Sequence, residues 1–281
     1  MKMDIKTTKK LNNGVEIPCL GFGVFQVKEG EDTVKSVKWA LEAGYRHIDT
    51  ATAYRNEGSV GQAIKESGIN REDIFITTKL PIDAMKKSSQ METFATSLKL
   101  LQTDYIDLYL IHWPHTGKNR ESWKILEEIY KSGRARAIGV SNFMEKNIDA
   151  LLADAKIVPA VDQIELHPHY SQHAVAAHCA KHGIACEAWS PLGGTGGKLL
   201  DDPVLNNIAK KYGKSAAQVT LRWELQNGII TIPKSTHQER IKANTNLYDF
   251  ELTAAEMKAI NDLDANPQPL GMGWNPYTIE Y

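Results

Sequence analysis

An α/β chain folded as a (β/α)8 TIM barrel with an N-terminal β-hairpin is what this sequence predicts, on three observations. Short apolar runs alternate with amphipathic stretches eight times along the chain. The 281 residues are long for an ordinary domain but normal for one barrel. Chemically useful side chains recur at the C-terminal ends of successive apolar runs, where a barrel gathers them into one mouth.

In chain order, residues 5–17 alternate weakly around Asn12-Asn13-Gly14, a turn sequence that favours a tight hairpin. Strands are predicted over 19–25, 45–48, 73–79, 105–112, 135–140, 160–166, 184–189 and 228–232. Helices follow them over 32–42, 59–66, 91–101, 122–130, 144–153, 173–181, 204–211 with 216–225, and 238–244. A last helix over 254–263 precedes a tail rich in Pro, Gly and Asn. No linker divides the chain, so residues 1–281 are expected to form one domain. A doubly wound open sheet is the competing α/β arrangement. Its dinucleotide fingerprint is absent, because Gly21-Phe-Gly23 is followed by Gln26 where a third glycine is required.

Composition narrows the function classes. A formal net charge of -1 carries no electrostatic footprint for nucleic acid or an anionic membrane. No apolar run approaches the ~18 residues of a membrane span, and Met1-Lys-Met-Asp-Ile-Lys6 leads into no signal-peptide core. Three cysteines without paired spacing point to reduced thiols. The expectation is a cytoplasmic monomer that meets small molecules.

The chain is organised around Gly44-Tyr-Arg-His-Ile-Asp-Thr-Ala51 and the Thr52-Ala-Tyr-Arg-Asn-Glu57 that follows it. Asp49 and Tyr54 fall just past the second strand, Lys79 ends the third and His112 ends the fourth. A free tyrosine, with a pKa near ~10, is a poor acid at neutral pH. A neighbouring ammonium lowers that pKa, and a carboxylate holding the ammonium fixes its place. Tyr54 then donates a proton and His112 orients a carbonyl oxygen. Taken singly, each has a plain structural reading: a cap, a surface lysine, a packed ring. Four together at strand ends reverse that reading.

Those stretches, with Thr77-Thr-Lys-Leu80, Asp107-Leu-Tyr-Leu-Ile-His-Trp-Pro114, Gly139-Val-Ser-Asn-Phe143 and Ile232-Pro-Lys-Ser235, resemble the aldo-keto reductases over nearly the whole chain. The pattern is similar to members such as 2,5-diketogluconate reductase, glyoxal reductase and prostaglandin F synthase. The resemblance implies a barrel that binds NADPH/NADP+ without a Rossmann fold and reduces aldehydes and ketones. It implies a tetrad in which Tyr54 is the general acid, Lys79 lowers its pKa, Asp49 pairs with Lys79 and His112 orients the substrate.

For the cofactor, Ser141, Asn142 and Gln163 offer a hydroxyl and amides suited to a nicotinamide carboxamide, and the family pattern places them there. The same pattern stacks Trp189 on the nicotinamide ring, where relatives commonly have Tyr, and brings Gly23, Val24, Phe25, Ser190 and Leu192 to the cofactor. Asp162, where Asn is common, and Ala243, where Glu is common, depart from it. Lys234, Ser235, Thr236 and Arg240 span the end of strand eight and the next helix start, where barrels often bind phosphate. Their charge suits a 2′-phosphate, so NADPH is expected over NADH, with Asn244 near the adenine. The rival reading makes Thr236-His-Gln-Glu239 a capping box alone.

Phe25, Trp113, His112 and Trp274 in the tail are expected to meet the substrate: short aldehydes, dicarbonyls such as methylglyoxal, and keto-sugars. Gly193-Gly-Thr-Gly-Gly197-Lys198 fails P-loop spacing and reads as a flap over the cofactor. His167-Pro-His169 invites a metallohydrolase reading, yet Pro168 breaks the alternation that aims both rings inward. The His178/His182 pair at helical spacing reads as an exposed face. No metal is expected among the site residues. A second class is an NADPH-binding redox-sensing subunit with little catalysis; such a role usually comes with an extra N-terminal segment or an interaction surface, and an exposed apolar patch or a stable oligomer would favour it.

Overall fold

The computed structural model of the chain describes residues 3–194, 198–265 and 276–277. The hairpin pairs β1 (Thr8–Lys10) with β2 (Glu16–Pro18) antiparallel, and Gly14 at φ +87° supplies the left-handed turn. Eight parallel strands follow in chain order: β3 (Phe22–Gly23), β4 (His47–Asp49), β5 (Phe75–Leu80), β6 (Ile106–Ile111), β7 (Ala135–Ser141), β8 (Val161–Glu165), β9 (Ala185–Trp189) and β10 (Ile230–Thr231). The sheet closes on itself. Leu20 bridges Thr231 in parallel sense, Gly21 N donates to Thr231 O at 2.8 Å, and Thr231 N donates to Cys19 O at 2.9 Å.

Helices α1 (Glu31–Glu42), α2 (Glu57–Glu66), α3 (Ile82–Lys86), α4 (Gln90–Leu100), α5 (Asn119–Lys131), α6 (Glu145–Leu152), α7 (His173–Lys181), α8 (Pro203–Tyr212), α9 (Ala216–Gln226), α10 (Gln238–Ala243) and α11 (Ala254–Asn261) complete the described elements. Several starts are written locally. The Asp202 carboxylate accepts from Val204 N ahead of Pro203 in the first turn of α8, while Ser215/Gln218 and Thr253/Glu256 form capping boxes.

Strand alternation divides the molecule into two apolar regions and one polar layer. Ile48, Ile76, Ile138, Val140, Ile164 and Ala188 face outward into the large core beneath the helices. Phe75, Leu108, Leu110, Val161, Ala185 and Ile230 face inward, where the hairpin residues Leu11 and Ile17 join them. The hairpin therefore plugs one end of the barrel, fastened by Asn12 Nδ2 donating to Pro159 O at 2.9 Å and Asn13 Nδ2 to Arg136 O at 3.0 Å. Above this plug the inward positions turn polar: His47, Asp49, Thr77, Lys79, Gln163 and Glu187, all buried.

The first and last barrel strands are shorter than their apolar runs predict, two residues each against 19–25 and 228–232. They form the seam, where single bonds beyond the ladder complete the closure. The second strand begins at His47, leaving Tyr45 to donate its hydroxyl to Ile241 O at 3.3 Å. The capping box of the rival reading, over Thr236–Glu239, does not form. Helix α10 starts after His237 with no side-chain cap, because Ser235 Oγ instead accepts from His237 N at 3.1 Å.

Candidate active site

The parity that buries Ile48 and Ile76 outward turns Asp49 and Lys79 inward on neighbouring strands, with Asp49 in register beside Thr77. Lys79 Nζ donates to both Asp49 oxygens at 2.7 Å and to Thr50 O at 2.9 Å. It also lies 3.5 Å from Tyr54 Oη. Tyr54 itself rides on a short 3₁₀ turn, Thr52–Tyr54, closed by Arg55 in the left-handed region at φ +58°. That turn is the local device that aims the phenol back over the strand ends. His112, the residue after β6, meets the Tyr54 ring edge-on at 5.6 Å, and the Phe25 ring packs against the same phenol at 5.0 Å. The four tetrad positions named from sequence thus converge.

Burial alone would strip Lys79 of its charge, but the Asp49 carboxylate, then Tyr54, outweigh it and hold the ammonium above the ordinary lysine pKa. Burial pushes the Asp49 carboxyl upward as well, against its bonds from Lys79 and Gln163. With the ammonium 2.7 Å from both oxygens, the ionised pair is the state this geometry holds. At Tyr54, burial raises the phenol and Lys79 lowers it; the net direction is upward. This corrects the expectation of a net lowering: Lys79 acts in the expected sense, yet desolvation is the larger effect. His112 is driven well below the ordinary histidine range by burial and then by Lys79, so it is neutral. A neutral ring keeps an N–H to offer an oxygen.

The carboxamide group is tightly knit. Ser141 Oγ donates to Gln163 O at 2.7 Å, Asn142 Nδ2 donates to His112 O at 2.9 Å, and Trp189 Nε1 donates to Asn142 Oδ1 at 2.9 Å. Asn142 and Ser190 hold left-handed backbone at φ +63° and +50°, conformations that concentrate at working strand ends. Gln163 Nε2 spends both hydrogens below the mouth, on Asp49 Oδ2 at 2.8 Å and Glu187 Oε1 at 3.0 Å. Its Oε1 is the polar atom left for a ligand amide. Leu192 is half-buried against the large core, whereas 195–197 of the expected flap and Trp274 lie outside the described residues.

At the seam, a methyl group on Gly23 would stand 3.0 Å from Ile232 O and 4.0 Å from Lys234 Cβ, so the loop carrying Val24 and Phe25 abuts Lys234. Burial lowers the Lys234 pKa, and no carboxylate pairs with Lys234 or Arg240 among the described residues. Ser235 and Asn244 are buried nearby in the chain, while Thr236 and Arg240 are exposed. Helix α10 is only six residues long, so anion attraction here rests on these side chains rather than on a helix dipole. A cavity of about 470 Å³ lined by Arg222, Tyr248 and Phe250 contains none of the tetrad.

Three buried groups were missed or left open by sequence reasoning. Glu187 reads as one polar residue in an apolar strand, but its parity with Ala185 and Trp189 turns it inward against Gln163. Burial, then Asp49, pushes its carboxyl up to about 8, and Oε2 has no hydrogen-bond partner among the described residues. His47 Nε2 pairs with Thr77 Oγ1 at 3.0 Å, and burial, then Lys79, drives it down to about 3. Asp162 faces outward, where burial raises its carboxyl well above the usual range beside Cys179 Sγ at 3.8 Å. Its effect is on packing behind the sheet. His167 and His169 go to different carboxylates, Glu165 at 3.2 Å and Asp202 at 3.0 Å.

A closed barrel with a lysine–carboxylate pair, a phenol and a neutral histidine at one mouth is the architecture of a barrel oxidoreductase. A family model described as the Aldo/keto reductase family matches residues 19–265. The chain is 48% identical to the glyoxal reductase of Bacillus subtilis, over 98% of each chain. It is 44% identical to the methylglyoxal reductase DkgA of Escherichia coli, over 92% of this chain and 94% of that one. A Bombyx mori aldo-keto reductase solved in complex with NADP superposes with TM-score 0.86 at 40% identity, covering 93% and 94% of the two chains. This chain belongs to the aldo/keto reductase family. It is an NADP-dependent oxidoreductase of carbonyl groups, and no helix among its described residues is long and apolar enough to cross a membrane.

Proposed function

We propose that this protein uses NADPH to reduce short aldehydes and dicarbonyls such as methylglyoxal, with keto-sugars as a further class, in one barrel domain. The observation that carries the mechanism is Lys79 Nζ held between Asp49 at 2.7 Å and the Tyr54 hydroxyl at 3.5 Å in a fully buried position. Bound NADPH supplies the hydride. The Tyr54 hydroxyl gives its proton to the carbonyl oxygen, Lys79 stabilises the phenolate left behind, and neutral His112 holds that oxygen in place. Gln163 Oε1, with Ser141 and Asn142, would hold the carboxamide, and Trp189 the ring face. Lys234 and Arg240 would take the 2′-phosphate. Phe25 and Trp113 offer apolar walls to the substrate. The names of the glyoxal and methylglyoxal reductases support that substrate class.

The test is the fall in nicotinamide absorbance against a carbonyl panel, with NADPH and NADH compared and Tyr54→Phe as control. Turnover of methylglyoxal that drops by about 10²–10⁴-fold in the variant is expected. NADPH binding without turnover on any carbonyl would overturn the reading and favour a cofactor-sensing role.

A further inference from the structure

We propose that Asp149, His178 and His182 form a surface site for a divalent transition ion, zinc foremost, that clamps α6 to α7. The two histidines lie four residues apart, at the end of α7 and on its C-cap, so both rings leave the same helix face. The structure adds what the sequence spacing does not show, a carboxylate from the neighbouring helix. Asp149 Oδ1 accepts from His178 Nε2 at 2.8 Å, and the two imidazole rings stand 5.0 Å apart. One donor atom from each residue lies within 4.8 Å of the other two. No other three His, Cys, Asp or Glu side chains are so grouped among the described residues. This revises the reading of the pair as a mere solvated face: His178 keeps only 18% of its side-chain exposure.

Zinc bonds to nitrogen and carboxylate oxygen at about 2.0–2.2 Å, which sets tetrahedral donors roughly 3.3–3.5 Å apart. The His178–Asp149 contact, at 2.8 Å, is already shorter than that value, and all three donor atoms lie within 4.8 Å of one another. Asp149 and His182 are exposed, so solvent reaches the site. Two imidazoles and one carboxylate match zinc or its late-transition neighbours and not the hard cations magnesium or calcium. On binding, the ion takes the place of the hydrogen between His178 Nε2 and Asp149, and that hydrogen moves to Nδ1, so the imidazole stays neutral and no proton is left over. Water completes the fourth position.

The location assigns a structural role. Gly183, next to His182, lies against Asn12 of the plugging hairpin, with 3.9 Å from a methyl group built on it to Asn12 Cβ. The site is therefore at the plugged end of the barrel, away from Lys79 and Tyr54. Metal binding is expected to raise the melting temperature by binding the native state alone, with kcat/KM on the reference carbonyl unchanged.

The experiment is calorimetric titration of the whole chain with zinc, beside magnesium, for wild type, His182→Ala and Asp149→Asn, each first shown to be folded by circular dichroism. The expected result is one zinc per chain in the wild type, no magnesium at this site, and a loss of at least about ten-fold in affinity in each variant. Loss of even a supporting partner around a metal costs about 10–100-fold. Cobalt binding, followed by its visible absorption, checks coordination by a readout separate from activity. Zinc bound equally by wild type and both variants, or no zinc bound by the wild type, overturns the proposal.

Discussion

Glu187 Oε1 accepts from Gln163 Nε2 at 3.0 Å, and the same nitrogen donates to Asp49 Oδ2 at 2.8 Å. A single amide thus ties a second carboxyl to the partner of Lys79, in a layer without solvent exposure. Lys79 and Asp49 already balance one another there. Burial in that layer, and then the uncompensated charge a second carboxylate would place beside Asp49, push the Glu187 carboxyl up to about 8.

The sign of the consequence follows from linkage. The Glu187 carboxyl is raised from 4.5 to about 8 on folding, so the native state binds the extra proton between those values. Its stabilisation is complete below about pH 4.5 and is lost as pH rises to about 8, with a slope approaching ~1.4 kcal/mol per pH unit. Glu187→Gln is expected to flatten that slope in urea unfolding measured from pH 5 to 8. Once ionised, Glu187 also raises Tyr54 further. The variant is therefore expected to shift the alkaline limb of carbonyl reduction, and the onset of alcohol oxidation, to lower pH. An unmoved kcat/KM profile above pH 8 would show that Glu187 only fills space.

Lys79→Met removes the cation that pairs with Asp49 in the buried layer, the one such partner among the described residues. Leaving a buried charge without its partner costs about 3–5 kcal/mol. The expected result is a stability loss of that size by urea denaturation at pH 7, together with near-complete loss of carbonyl reduction. Lowering the pH to protonate Asp49 should recover part of the stability and none of the activity.

The tetrad was legible in the sequence because each member sits at or just past the end of an apolar run, and period-2 alternation sends strand-end residues into the mouth. Two things were not. Glu187 was hidden because one carboxyl in Ala185–Trp189 does not disturb the look of a buried strand, and only the register with Gln163 reveals its inward face. The net direction at Tyr54 was also hidden, because spacing shows that Lys79 is near and does not show how much water is excluded. The seam strands shortened for a related reason: closure is set by the first and last strands meeting each other, a long-range fact that local pattern does not carry.

Gly139 occupies an inward position of β7 where no side chain fits. A methyl group there would press on Val161 O and stand 2.8 Å from Leu110 Cδ2. The carbonyl belongs to the next strand and cannot rotate away. Gly139→Ala is expected to destabilise the barrel by about 1–3 kcal/mol, as overpacking of a filled core does, measured by chemical denaturation. Because Ser141 lies two residues on, NADPH affinity should weaken in the same variant, while unchanged stability would show that β7 and β8 yield more readily than their spacing implies.

Lys234 offers the last test, since its partly buried ammonium has no carboxylate partner among the described residues and adjoins the loop from Gly23 to Phe25. A cation held partly out of water without a counterion costs stability unless an anion arrives to meet it. If that anion is the 2′-phosphate, Lys234→Met removes a charge-assisted bond worth about 1.5–3 kcal/mol. The Kd for NADPH, read by quenching of tryptophan fluorescence, is then expected to rise by roughly 10–150-fold, with the Kd for NADH nearly unchanged. The apo variant should be no less stable than the wild type, because an unmatched buried charge has been removed. Equal weakening toward both cofactors would place Lys234 on the shared pyrophosphate instead, and leave Arg240 as the residue that distinguishes them.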